Sequence, residues 1–329
     1  MIKYRFKGER LLPLFFLSCV LLITLQSCTN RRQSVRIGLN AWPGYDAFFW
    51  AEQQKYFNNL SVDVELVEFE SLGDARRAFE RGQVDLIGTT VVELLFSRIH
   101  TGWEGKTIYV FDYSNGSDMF LVHPSIASLR DVKGKRIAAE PGSVDILMAH
   151  LALTSVGLTL KDVTLAGYSS QGEALSAYKR GELDAVEGYP PVAVELVRLG
   201  AKRLFDSSQA PGVVLDVLVA EQNIVERNPH VLAEILGSFE KAQGEVLNRN
   251  PEALQFLSAR VQLTPEEYLS AFSGLAVVPR SEQHLFLRHD GKFVDSLKKT
   301  QEALLSANQI DSEVRLDGLF TNKIINLLR

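Results

Sequence analysis

Cysteine is nearly absent from this 329-residue chain. The two present, Cys19 and Cys28, both lie near its start, and no residue beyond Cys28 is a cysteine. Residues 29–329 therefore cannot be stapled by disulfides, bind zinc through thiolates or use a cysteine nucleophile. Histidine is sparse as well. The six (His100, His123, His150, His230, His284 and His289) are scattered, and the closest two are five apart, which misaligns them on a helix. The sequence thus names no metal ligands. No H-E-x-x-H, P-loop, G-x-S-x-G or G-x-G-x-x-G pattern occurs, so the usual protease, nucleotide-binding and hydrolase signals are missing and no cofactor is expected. Beyond residue 27 no apolar run approaches the ~20 residues of a membrane span, which excludes pores and membrane-embedded pumps. No strong basic excess exists either: the formal net charge is −5, spread along the chain, which argues against a nucleic-acid partner.

What is present begins with a leader. Lys3, Arg5, Lys7 and Arg10 against Glu9 give residues 1–27 a net +3, and the apolar stretch 11–25 leads into Leu25-Gln26-Ser27-Cys28. A basic start, a short apolar region and a small residue before the cut are the layout of a secretory signal. Leu-x-Ser-Cys resembles the lipobox of bacterial lipoproteins, which implies removal of residues 1–27 and acylation (palmitate) of Cys28, with residues 28–34 as a polar tether to the membrane. Without its +3 leader the body has charge −8 and enough length for one large or two mid-sized domains. The 46% hydrophobic content argues against disorder.

The body alternates strand and helix patterns. Strands are expected at 35–39, 61–69, 84–88 and 107–113, with helices from 46 to about 56, 72–81 and 89–100 between them. The rhythm restarts with strands at 119–122, 136–139, 163–168 and 183–187 and helices at 144–156, 172–180 and 190–199. A strand at 213–220 follows. The rest reads as almost wholly helical: 229–249, 251–259, 265–273, 283–307 and 322–328. Such βα alternation predicts an α/β protein with mostly parallel sheets. Phe79-Glu80-Arg81-Gly82-Gln83-Val84-Asp85 and Tyr178-Lys179-Arg180-Gly181-Glu182-Leu183-Asp184 repeat one theme, a glycine-capped helix end entering a strand, and predict two similar halves.

Several stretches, in order and spacing, carry a family resemblance. They are Ile37-Gly38-x-x-x-Trp42-x-Gly44-Tyr45, Arg81-Gly82-x-x-Asp85, Ser128-Leu129-x-Asp131-x-Lys133-Gly134-Lys135-x-Ile137-Ala138 and Gly181-Glu182-Leu183-Asp184-Ala185. The chain resembles the periplasmic substrate-binding proteins of ABC importers in the nitrate/sulfonate/taurine group, which also includes thiamine-pyrimidine binders. The resemblance implies a two-lobed periplasmic-binding-protein fold (type II) hinged on two crossover strands, near 117–123 and 213–220. Lobe one would comprise 35–117 and 216–329, its helical C-terminal segment packing on that lobe, and lobe two 118–215. It also implies a monomeric, non-enzymatic receptor in the periplasm or at the cell surface, delivering a small organic ion to a permease and its ATPase. A sensory module acting through a partner is the alternative. A biosynthetic enzyme on the same scaffold would need a reactive His or Cys on the cleft loops, where the sequence places neither.

Ligands of open parallel sheets sit beyond the carboxyl ends of the strands, which nominates particular residues. Thr89, Thr90, Gly142 and Ser143 stand at helix starts whose free N–H groups suit an anion, though Ser and Thr also cap helices routinely. Ser114 lies in the turn entering the first crossover. Asp46, Glu93, Asp118, Glu187 and Asp216 fall near the expected cleft with Trp42, Tyr45 and Tyr189 close by, a seat for a cation. For each acid alone a solvated surface position competes with that role. Together the two sets favour a zwitterionic aminosulfonate, aminophosphonate or amine over bare nitrate.

Overall fold

A computed structural model describes residues 32–103 and 105–328; the leader and Cys28 lie outside them. The strands assemble into two sheets. Strands β1 (Ser34–Asn40), β2 (Asp63–Phe69), β3 (Leu86–Thr90), β4 (Lys106–Ser114), β10 (Leu215–Ala220) and β11 (Leu275–Val277) form the first, in the order β11-β4-β10-β3-β1-β2. The second contains β5 (Met119–Val122), β6 (Arg136–Ala139), β7 (Thr164–Gly167), β8 (Ala185–Gly188) and β9 (Lys202–Asp206), ordered β7-β6-β8-β5-β9. The expected α/β fold with two sheets is what the structure has.

The helices follow the strands: α1 (Ala47–Gln53), α2 (Leu72–Glu80), α3 (Val91–Thr101), α4 (Val144–Thr154), α5 (Gln171–Lys179) and α6 (Val192–Arg198). The C-terminal part adds α7 (Gln222–Arg227), α8 (Pro229–Leu247), α9 (Pro251–Arg260), α10 (Pro265–Phe272), α11 (Arg280–Phe286) and α12 (Lys292–Ser306). Ser34–Arg329 forms one compact unit. One apolar cluster covers the outer face of the first sheet, where Phe48 of α1 stacks on Phe239 of α8 at 4.5 Å. A second cluster runs from α2 and α3 through α4 to α12 and so joins the two halves. Helix α12 touches both α3 and α4, so this C-terminal helix does not belong to the first half alone.

The repeated theme is built twice. Gly82 and Gly181 take φ +67° and +74°, the left-handed cap that glycine allows without Cβ strain. Asp85 then accepts the N–H of Arg36 at 2.8 Å, and Asp184 that of Arg136 at 2.9 Å. In both halves the strand so anchored pairs in parallel with the strand that donates that N–H, Ile37 opposite Leu86 and Ile137 opposite Ala185.

Four expectations need correction. The sheets are not simply parallel: β10 runs antiparallel between β3 and β4, and β5 antiparallel between β8 and β9. Two edge strands were not foreseen. In β9 only Phe205 among 202–206 is buried and Lys202 and Arg203 face outward, and β11 is three residues long; short, charged edges carry little alternation to read. The helix expected at 283–307 is two helices. A Cβ at Gly291 would meet the Phe286 carbonyl oxygen at 2.3 Å, so the chain doubles back there only with glycine. Finally, β5 lies wholly in the second sheet and β10 wholly in the first, so the passages between sheets are residues 115–118 and 207–214. Ser207 ties them together: its Oγ lies 2.7 Å from Ser114 Oγ, it accepts the Gly116 N–H, and its own N–H donates to the Asp118 carbonyl.

Candidate functional site

The carboxyl ends of β1, β3, β4, β6 and β8 and the start of β10 converge between the sheets. They surround a narrow cavity lined by Asn40, Trp42, Tyr45, Leu72, Thr90, Asp118, Val144, Tyr189, Val214 and Asp216. Six of the residues nominated from sequence are brought together here: Trp42, Tyr45, Thr90, Asp118, Tyr189 and Asp216. The cleft is shut. Trp42 meets Tyr189 edge-on at 5.9 Å from the opposite half.

Carboxyl groups dominate the surroundings. Asp118 and Asp216 are 1% and 2% exposed, and each keeps one carboxyl oxygen without a partner. Tyr45 donates its hydroxyl to the other oxygen of Asp216 at 2.5 Å. Asp112, opposite Asp216 in the β4–β10 register, is fully buried with both oxygens unpartnered; the Trp42 indole lies near it without an aligned bond. In the second half Asp145 and Glu187 face each other. Gln171 and the Glu140 N–H hold one oxygen of Asp145, at 2.7 and 3.1 Å, while both oxygens of Glu187 are unpartnered. Among the residues lining the cavity there is no lysine, arginine or histidine.

Buried carboxylates without cations hold protons. Burial pushes Asp112 up to about 8, with Asp118 adding to the shift and the Trp42 indole opposing it. Burial lifts Asp118 to about 7, with Glu93 adding and Ser114 opposing, and Glu140 to about 7, with Ser71 opposing and Glu93 adding. Asp145, Glu187 and Asp216 lie well above the usual carboxylate range, through burial first and then a neighbouring acid: Glu140, Asp145 and Asp112 respectively.

Glu93 is fully bonded within the protein. From α3 it reaches across to the N-terminus of α4. There Ser143 Oγ donates to its Oε1 at 2.7 Å and the Val144 N–H at 3.0 Å, while Thr90 donates its hydroxyl to Oε2. Thr90 also accepts the Val92 N–H and so caps α3. A helix start that could hold an external anion is thus occupied by the protein's own carboxylate.

The remaining nominated residues lie elsewhere. Asp46 is paired with Arg260 at 3.2 Å; burial lifts it to about 6 against the pull of that guanidinium. Thr89 lines a separate small pocket with Arg76, Phe79 and Trp103. Ser114 braces the passage between sheets through Ser207 and the Asp118 N–H. Gly142 shapes the turn before Ser143, at φ +69°. Sequence reasoning missed Asn40, Asp112, Glu140 and Gln171. Asp112 sits in the apolar run 107–113, where one acid among strand residues was the available signal.

A family model described as "NMT1/THI5 like" matches residues 42–253, nearly two thirds of the chain. The chain belongs to the NMT1/THI5-like family. A Brucella abortus (strain 2308) protein named "Putative binding protein BAB2_1146" is 24% identical over 262 residues, covering 75% of this chain and 79% of that protein. Among solved structures, the alkanesulfonate-binding protein SsuA from Xanthomonas axonopodis pv. citri, bound to MOPS, matches with TM-score 0.74 and 19% identity over 88% of this chain and 98% of that one. The desulfurization enzyme DszB matches with TM-score 0.60 and 15% identity, over 89% and 98%. At such identities the family's fold is common to a binding protein and an enzyme. No helix among the described residues is long and apolar enough to cross a membrane.

Proposed function

We propose that this chain is the solute-binding receptor of an ABC importer, closing on a small organic ion that carries an ammonium group and presenting it to a membrane permease and its ATPase. The family, the SsuA-like fold and a cavity between two halves support the receptor role. One observation carries the ligand class: Glu93 already fills the α4 N-terminus, and the unpartnered oxygens of Asp118, Asp216 and Asn40 on the cavity wall all accept hydrogen bonds. A solute that donates, and whose positive charge displaces the protons these carboxyls hold, is matched there, and the faces of Trp42, Tyr45 and Tyr189 suit a cation. Of the solutes favoured from sequence, the amine end of an aminosulfonate or aminophosphonate finds a seat, while its anionic end loses the one expected at Ser143.

The DszB likeness does not favour an enzyme. The cavity wall offers carboxyl, phenol and hydroxyl groups, and no cysteine or histidine is among the residues that line it. In this reading the receptor is monomeric and tethered through acylated Cys28 in the periplasm or at the cell surface; Cys28→Ala then moves it from the membrane to the soluble fraction.

The test is a thermal-shift panel on residues 34–329, refolded to strip carried-over solute, with amines, quaternary amines, aminosulfonates, aminophosphonates, alkanesulfonates and nitrate. At a hundred times its Kd a ligand adds ~2.7 kcal/mol, a readily measured rise in midpoint. Stabilisation by ammonium-bearing compounds supports the reading. Stabilisation by alkanesulfonates or nitrate alone refutes the ligand class and leaves the receptor.

A further inference from the structure

The acids around the cavity form two pairs, one in each half. Asp112 and Asp216 stand opposite each other on neighbouring strands of the first sheet. Asp145, in the first turn of α4, faces Glu187 at the end of β8 in the second. Asp118, on the passage between the sheets, acts electrostatically on members of both pairs, Asp112, Asp145 and Glu187. One oxygen each of Asp118, Asp145 and Asp216 and both of Asp112 and Glu187 are buried without a partner. Independently of the acids, the neutral Asn40 side chain is 2% exposed, lines the cavity and leaves its Oδ1 unpartnered.

A single ammonium offers three donors and one charge. Seated at Asp216 it answers that end and leaves Asp118 and the second pair buried and held neutral only by protons, Asp145 and Glu187 facing each other without a cation. Two charges held apart answer both ends at once. A metal ion does not fit the arrangement, since no group of three or more His, Cys, Asp or Glu among the described residues is placed to hold one. Resting on the receptor reading above, we propose that the solute is a diamine-type dication. One ammonium is seated against Asp112 and Asp216, the other against Asp118 with the Asp145–Glu187 pair behind it, and the connecting chain lies along Trp42 and Tyr189. The aliphatic link suits those rings, which close over it from the two halves.

The experiment titrates residues 34–329 at pH 8 by calorimetry with 1,3-diaminopropane, 1,4-diaminobutane, 1,5-diaminopentane, 1-aminobutane, taurine, ethanesulfonate, calcium and zinc. The expected result is one diamine binding at least thirtyfold tighter than 1-aminobutane, with the preference falling below threefold in Asp216→Asn. Since that variant can also disturb the bond from Tyr45, Glu187→Gln provides a second reading from the other end and is expected to lose the same preference. Equal binding of mono- and diamines, or tighter binding of taurine, overturns the dication and leaves an ammonium receptor. Tighter binding of ethanesulfonate, or of calcium or zinc, overturns the dication together with the ammonium reading. No binding of any compound overturns the ligand class as a whole.

Discussion

Raising the pH should open the ligand-free cleft. In the closed form Asp112 is held at about 8, whereas an open, hydrated cleft returns it towards the ordinary value near 3.8. The sign follows from linkage: the closed form binds more protons between those values, so closure is favoured at low pH and lost as pH rises through the closed-state pKa. For Asp112 alone, going from pH 6 to pH 8 lowers the closed-to-open ratio about fiftyfold, or ~2.3 kcal/mol. Asp118 and Glu140, both held at about 7, push the same way. The groups that face Asp112 come from every side, Asp216 on β10, Asp118 in the passage and Trp42 in the loop after β1, and none is a cation. Small-angle scattering of residues 34–329 without solute should therefore give a larger radius of gyration at pH 8.5 than at pH 6, and a bound organic cation should abolish the difference. An unchanged radius from pH 6 to 9, or a smaller one at high pH, would refute the reasoning.

Three further outcomes are expected. Glu93→Gln removes a charge-assisted bridge between α3 and α4; bonds to charged groups are worth ~1.5–3 kcal/mol, so solute affinity by calorimetry should fall roughly ten- to hundredfold with the far-UV spectrum unchanged. Arg198→Ala breaks a visible bridge to Glu267, but a third or so of each side chain is in solvent, so affinity should change less than about fivefold. Gly44→Ala places a Cβ 2.0 Å from Asp112 Oδ2 and 2.8 Å from Trp42 Nε1. The clash should lower stability by ~1–3 kcal/mol in thermal unfolding and abolish binding.

Much of the scaffold was legible in the sequence because period and punctuation agree there. Gly82 and Gly181 end helices, Asp85 and Asp184 open strands, and the alternation of 63–69 reads directly as β2. Six cavity residues followed from the rule that ligands sit past the strand ends. What stayed hidden depends on contacts between distant segments. That β10 inserts between β3 and β4 leaves no mark in its own sequence, and the insertion is what brings Asp216 against Asp112. Glu93 was read as facing ligand. Its actual partners, Ser143 and Val144, lie fifty residues on, and no local pattern could show that the anionic seat is filled from within the chain. Asp46 illustrates the opposite error: its neighbour in space is Arg260, from a helix whose docking against α1 only the folded chain displays.

The two passages between the sheets are laced together at Ser207, and in the proposed receptor they would act as a single axle. Groups on the axle have no lever arm. Asp118 lies on it, and Asp112 and Asp216 sit in the strands that run into it, so these acids keep their mutual geometry while the halves swing. Arg198 on α6 and the half-buried Glu267 on α10, on opposite jaws, would travel the full arc instead. In the proposed receptor, chemical choice would therefore be made at the still centre, where a solute meets acids already in place. Notice of that choice would be amplified outward to a rim that a membrane partner could touch without ever reaching the solute.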